Sequence, residues 1–340
     1  MPGSRLRRPP GALALGLAVL VAAAGTIGMK VSADQRAGSV ARDTEVMEAL
    51  EAPANDAPAE NYLLVGSDSR QGIAADDPNA GAIGSTDEVV NSRSDTIMVL
   101  RRERNGGAAL LSLPRDLWVP IAGTDRSSKI NSAYNEGSQR LVATVTQALG
   151  IPINHYVEID FAGFQKLVDE IGGVEVCTYV PAQDTHSGLR LDPGCTNVNG
   201  SQALAYARSR HYEQWVDGDW HEDGSADLGR IRRQQLFIRS AVEKLLGEIE
   251  SDPFKVGQLV GVATSVVTVD EGLDPLKAAA ALRQAAEVGL NTYSLPVVGA
   301  EHKGQSALDL DEAAAQPILD YFRGTGPAPP ADPPPTTAGG

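Results

Sequence analysis

Thr96-Ile-Met-Val-Leu-Arg-Arg-Glu-Arg-Asn-Gly-Gly-Ala-Ala-Leu-Leu-Ser-Leu113 is the stretch that decides the fold. Thr96–Leu100 and Ala108–Leu113 are short apolar runs and read as strands. Asn105-Gly106-Gly107 between them is a tight-turn signal, so the two runs make a hairpin. A third run, Tyr62-Leu-Leu-Val-Gly66, precedes them. If neighbouring strands are antiparallel, the end of the first, the start of the second and the end of the third share one sheet edge. Three polar clusters then converge there: Ser67-Asp68-Ser69-Arg70, Arg93-Ser94-Asp95 and Pro114-Arg115-Asp116.

Downstream, Gln139–Leu149 reads as an amphipathic helix stopped by Gly150. His155–Ile159 alternates like a strand. Phe161–Ile171 reads as a helix ended by Gly172-Gly173, and Val174–Val180 as a strand. Leu228–Leu246 is helical, with Leu228, Ile231, Ile238, Val242 and Leu245 on one face. Further helical stretches are expected near 254–267 and 275–287, and a strand over Asn291–Val298. Strands mixed with helices imply an α/β fold: a single layered domain whose central mixed β-sheet is flanked by helices.

Residues 1–8 carry Arg5, Arg7 and Arg8, and the 21 residues from Pro9 to Met29 carry no charge. That length suits a bilayer core of roughly 30 Å, and the arginines predict that the N-terminus stays inside. Residues 9–29 are therefore expected to be a transmembrane helix, with a cleaved signal peptide as the other reading. The polar stretch 30–60 is expected to be a stalk, 61–323 the extracytoplasmic domain, and 324–340 a disordered Pro/Gly-rich tail. The expected location is the cell membrane, single-pass. The chain has a formal net charge of -15, and only seven of its 29 basic residues are Lys. So acidic a surface is not a nucleic-acid partner, and any affinity for an anion must come from a local cluster. Cys177 and Cys195 are the two cysteines. In an exported chain they can pair, closing a loop worth about 3 kcal/mol; two buried thiols are the alternative.

Asp68 and Asp95 at the shared edge are hard oxygen ligands that suit Mg²⁺; as turn residues they would need no metal. If Ala205–Arg210 is extended, Arg208 and Arg210 share a face. Arg230, Arg233 and Gln234 share a helix face at i, i+3 and i+4, opposite the apolar stripe. With Arg115, these guanidinium forks fit a multiply charged anion; a solvated, salt-bridged face is the competing reading. Asp227 also reads as a helix N-cap. Lys129 and Asn131 lie in a polar connection. The five histidines form no metal-binding or triad pattern, and there is no P-loop.

Seven runs resemble one family. They are Leu64-Val-Gly-Ser-Asp-Ser-Arg70, Arg93-Ser-Asp-Thr96, Ser112-Leu-Pro-Arg-Asp116, Lys129-Ile-Asn-Ser-Ala-Tyr134, Phe164–Val174, Gly200–Arg210 and Asp227–Gln235. In order and spacing they are similar to the LytR-CpsA-Psr family. The resemblance implies an extracytoplasmic phosphotransferase that moves a glycopolymer from a polyprenyl-pyrophosphate carrier onto peptidoglycan through a phosphodiester, with pyrophosphatase as a side activity. It implies Mg²⁺ held by Asp68 and Asp95. It implies a pyrophosphate gripped by Arg93, Arg115, Lys129, Asn131, Arg208, Arg210, Arg230, Arg233 and Gln234. Arg115, Arg208, Arg210 and Asp227 are the implied catalytic set, with Asp227 and Asp116 both open as general base. A non-catalytic polyprenyl-phosphate binder or envelope regulator is the alternative. Stretch 71–92 is expected to be an insertion that acts as a lid. The acidic loop 213–226 carries Trp215 and Trp220, residues suited either to sugar stacking or to ordinary packing.

Overall fold

The computed structural model describes residues 40–53, 59–67, 94–104, 106–224, 226–251, 261–262, 264–274 and 290–332; the side chains of Asp95 and Asp227 fall outside that description. The expected membrane helix 9–29 and the expected lid 71–92 lie outside the described residues. Among the described residues, no helix is long and apolar enough to cross a membrane.

The strands in chain order are β1 (Ala41–Asp43), β2 (Ala59–Ser67), β3 (Ser94–Glu103), β4 (Ala108–Leu113), β5 (Trp118–Pro120), β6 (Ser127–Lys129), β7 (His155–Asp160), β8 (Val174–Thr178), β9 (Ala182–Asp184), β10 (Leu189–Leu191), β11 (Gly194–Val198), β12 (Glu213–Val216), β13 (Asp219–Glu222), β14 (Val267–Asp270), β15 (Leu290–Ser294), β16 (Val297–His302) and β17 (Gln305–Leu310). The α-helices are α1 (Ser138–Leu149), α2 (Phe161–Glu170), α3 (Gly200–Arg208), α4 (Ala226–Ser251) and α5 (Glu312–Arg323). A seven-stranded sheet runs β1-β14-β7-β2-β3-β4-β15. It is mixed: β3 is antiparallel to both its neighbours, β2 and β4, while β7 is parallel to β2 and β15 parallel to β4.

Strand alternation sorts the side chains to two faces. Leu63, Val65, Ile97, Val99, Leu111 and Leu113 point to one core, with Leu141, Val142, Leu319 and Phe322 of α1 and α5. Tyr62, Met98, Leu100, Ala108 and Leu110 point to the other, where Ile238 of α4 packs. The helix predicted to end at Gly150 does so: Gly150 has φ 69°, and its amide donates to Thr146 at 2.8 Å. Positive φ is the conformation that glycine adopts without steric cost. A smaller lobe, built from α2, α3, β8–β11 and Phe237 of α4, has its own apolar cluster. Cys177 and Cys195 face each other across β8 and β11 and form a disulfide.

Three expectations are corrected. The stalk assigned to 30–60 does not hold for 40–53 and 59–60: β1 pairs with β14, Val46 is fully buried, and Arg42 Nη1 donates to the carbonyls of Asp270 and Leu273 at 2.8 and 2.7 Å. The tail assigned to 324–340 does not hold for 324–332. There Tyr293 donates to the Pro329 carbonyl at 3.1 Å, and the Asp332 amide donates to the Thr292 carbonyl at 2.9 Å. Composition counts apolar residues and cannot see a polar chain lying along an existing surface. Lastly, Ala205–Arg208 is helical rather than extended, because Asn199 starts α3 with a reciprocal capping box to Gln202. Most of the helical stretches expected near 254–267 and 275–287 lie outside the described residues; Val267 itself opens β14.

Candidate functional site

The register of the central strands brings the polar clusters together. Gly66 pairs with Thr96, Ser67 with Ser94, and Ile97 with Leu113. β7 runs parallel to β2, so Asp160 stands beside Ser67 at the same edge. Asp68 follows Ser67, and Asp95 follows Ser94. Arg93 and Asp68 lie outside the described residues. Ser67 and Ser94 are both fully buried, and neither Oγ has a hydrogen-bond partner. A buried hydroxyl left unpaired costs about 1–3 kcal/mol, so two facing each other mark a place suited to an oxygen-seeking partner. Asp68 and Asp95, which follow these serines in sequence, are the residues whose carboxylates would suit Mg²⁺. Among the described residues, the one close group of three His, Cys, Asp or Glu side chains is Glu175 with Cys177 and Cys195, whose sulfurs are spent on the disulfide.

At the end of β4 the chain turns through Arg115 and Asp116. Lys129 Nζ lies 2.9 Å from Asp116 Oδ1, and Arg115 Nε lies 3.5 Å from Asp116 Oδ2. Asp116 thus sits between two cations and holds both at this edge. Asn131 joins them through its amide, which donates to the Arg115 carbonyl at 3.2 Å.

Arg208 ends α3, its guanidinium 4.9 Å above the Phe161 ring. Ser209 then breaks the helix, and Arg210 and His211 follow in the turn. This turn is clasped from two sides. From the lobe, Asp184 accepts from the Ser209 hydroxyl at 2.7 Å and from the Arg210 and His211 amides at 3.0 Å each. It also accepts from the His186 and Ser187 amides at 2.8 and 3.1 Å. Burial alone would raise the Asp184 pKa, but the Ser209 hydroxyl and these amides hold it below the ordinary carboxylate value. From α4, Arg233 Nη2 donates to the Ser209 carbonyl at 2.8 Å and Nη1 to Asp223 at 3.0 Å, with its guanidinium 4.5 Å from the Tyr212 ring.

Arg230, Arg233 and Gln234 are all buried, at 3, 6 and 8% exposure. The competing reading of a solvated face does not hold for these three, because α4 runs between the sheet and the lobe and is covered on both sides. Gln234 Nε2 donates to Thr96 Oγ1 and to the Ala207 carbonyl, each at 3.0 Å. Gln235 Nε2 donates to Ser112 Oγ at 3.0 Å. α4 therefore ties β3, β4 and the end of α3 to one another. Asp227 is the second residue of α4, not a residue before it.

The acidic loop after Arg210 is the β12–β13 hairpin. Its turn residues Asp217 and Gly218 have φ 53° and 87°. Trp215 and Trp220 pair across it edge to face, with ring centroids 5.4 Å apart. The residue that sequence reasoning missed is Asp184, a lone acidic residue with no local pattern to mark it.

Residues 26–322 match the LytR_cpsA_psr family model. The probable cell wall biosynthesis protein LcpB of Corynebacterium glutamicum is 34% identical over 77% of this chain and 61% of its own length. LcpA of the same organism is 30% identical over 74% and 53%. The teichoic acid transferase TagU of Enterococcus faecalis is 38% identical over 48% and 50%. The chain thus spans about half to three fifths of the length of these relatives. A LytR-Csp2A-Psr enzyme from Actinomyces oris superposes with a TM-score of 0.65 at 25% identity, covering 83% of this chain and 95% of that one. TagT bound to LI-WTA, at 21% identity and a TM-score of 0.59 over 84% of this chain and 98% of that one, shares the fold. A match over nearly the whole described domain makes this chain a member of the LytR_cpsA_psr family.

Proposed function

We propose that this protein is a membrane-anchored, extracytoplasmic phosphotransferase that moves a glycopolymer from a polyprenyl-pyrophosphate carrier to a peptidoglycan hydroxyl. The observation that carries the reading is the convergence of Arg115, Lys129 and the Arg208–Arg210 turn around one sheet edge. These cations come from segments far apart in sequence. The relatives' names support the acceptor: TagU is a polyisoprenyl-teichoic acid–peptidoglycan teichoic acid transferase.

Phosphoryl transfer spreads negative charge over the equatorial, attacking and leaving oxygens, and fixed cations stabilise that charge without reorganising. In this reading Arg115, Arg208 and Arg210, with Lys129 and Arg93, grip the pyrophosphate, and Asn131 and Arg230 complete the pocket. Arg233 and Gln234 hold the turn rather than the ligand. Asp68 and Asp95 would hold Mg²⁺, which when bound offsets charge on the pyrophosphate oxygens. Asp227, at the start of α4, is the candidate for taking the acceptor proton, since Asp116 is ion-paired. With water in place of the acceptor hydroxyl, the same groups would give pyrophosphatase activity.

Full-length protein given a polyprenyl-pyrophosphate glycopolymer and peptidoglycan fragments should form a phosphodiester-linked product that depends on Mg²⁺. Binding of the donor with no turnover under any divalent metal would leave a binder or regulator instead. Residues 9–29 are proposed as the anchor; protease accessibility of a C-terminal tag in whole cells tests that placement.

A further inference from the structure

We infer that Asp184 is a positioning residue for the anion site, a role that rests on the function proposed above. Its carboxylate is 1% exposed and accepts five hydrogen bonds, three of them from the consecutive residues Ser209, Arg210 and His211. A carboxylate is the one neutral-pH side chain that offers only acceptors, about four lone-pair sites on two oxygens. The turn after α3 presents it only donors. The turn therefore calls for a carboxylate.

The consequence lies in the two arginines. Arg208 is the last helical residue, and Arg210 is two positions on, where the chain has left the helix. Nothing intrinsic to Arg-Ser-Arg fixes that exit. Ser209 has ψ 125°, outside the helical range, and its hydroxyl and the next two amides all point at one carboxylate. Asp184 belongs to β9, which pairs with β12, so the clamp is anchored in a sheet rather than in a loop. Arg233 pulls the Ser209 carbonyl from the opposite side. Released from Asp184, the turn loses three hydrogen bonds and keeps the contacts from Arg233 and Gln234 of α4, and the distance between the guanidinium groups is no longer set. Since bound anions are recognised by guanidinium groups held at a fixed spacing, loss of that spacing appears as weaker binding.

The charge of Asp184 gives the test its discriminating power. Removing a negative charge near an anion site strengthens anion binding by Coulomb's law, whereas removing a positioning group weakens it. Inorganic pyrophosphate with Mg²⁺ is titrated calorimetrically into the full-length protein in detergent micelles, comparing wild type, Asp184→Asn and Ser209→Ala. Asp184→Asn should raise Kd roughly tenfold or more, against the Coulombic direction, and Ser209→Ala roughly threefold. An unchanged or tighter Kd in Asp184→Asn overturns the inference. Should Asp184→Asn fail to fold, Ser209→Ala decides alone: weaker binding supports the clamp, and unchanged binding overturns it. A wild-type protein that does not bind pyrophosphate overturns the proposed function, and with it this role.

Discussion

Arg233 Nη2 and the Ser209 carbonyl are joined by a 2.8 Å hydrogen bond that is buried from solvent. An arginine that reads as an anion ligand in sequence is thus committed to the backbone between two other arginines. Its other contacts are the half-buried Asp223 and the face of Tyr212.

Arg233→Ala should therefore act first on stability. Removing one partner of a largely buried pair takes one donor each from Asp223 and the Ser209 carbonyl. Because the Asp223 side chain is 33% exposed, the loss should be about 2–3 kcal/mol rather than that of a fully buried pair. Arg233→Lys should recover only part of it, since an ammonium cannot serve two acceptors and stack on a ring together. Urea unfolding followed by circular dichroism measures both.

Arg208→Ala and Arg115→Ala should show the opposite balance. Arg208 stacks on Phe161, a contact worth about 0.5–2 kcal/mol, so the fold should tolerate the change. Transfer activity should drop by about 10²–10³ in kcat/KM, the scale for losing one donor to transition-state charge. Activity within a factor of about three of wild type would remove that arginine from the catalytic set.

Reduction of Cys177–Cys195 should cost about 2–4 kcal/mol. The bond ties β8 to β11 within the lobe that bears Asp184. The midpoint of urea unfolding with and without reductant reads the loss. A Cys177→Ser, Cys195→Ser variant should match the reduced protein and be insensitive to reductant.

Acid stability should report Asp270. Burial alone would raise its pKa, but the His155 hydrogen bond at 3.1 Å and the Tyr156 amide at 3.0 Å lower it below the usual value of 3.8. A depressed folded value means the contribution is complete above the unfolded value and is lost as pH falls through the folded one. Stability should accordingly hold from neutral pH to about 4 and fall below it. Asp270→Asn should lower stability at pH 7 and flatten the slope below pH 4. An unchanged slope would assign acid unfolding to other carboxylates.

Much of this was legible before any coordinates. The central hairpin, the helix ended by Gly150 and the convergence of three clusters follow from strand alternation, a glycine stop and the pairing of antiparallel neighbours. These are local signals, and the sheet obeys them. The errors have one cause in common. Arg208 and Arg210 share a face only if Ala205–Arg210 is extended, and the Asn199 cap that decides for a helix lies nine residues upstream of Arg208. Arg233 and Gln234 were placed on a ligand face because α4 carries apolar residues elsewhere, yet the lobe covers that side too. Asp184 was invisible because its five donors come from two separate loops. Residues 40–53 and 324–332 seemed too polar to pack, but each binds through a few backbone contacts that composition does not register.

Those two segments have a consequence for the protein as a solute. Unpaired outer strands act as templates on which a second chain can grow. Here one outer strand, β1, is three residues long and has Arg42 reaching across to the β14 end. The opposite one, β15, takes a hydrogen bond from the Asp332 amide onto Thr292. A neighbouring molecule thus meets a short stub on one flank and a partly sealed seam on the other. Self-association through the β15 flank would first have to displace residues 324–332, so a clipped C-terminus is the state in which this protein should begin to aggregate.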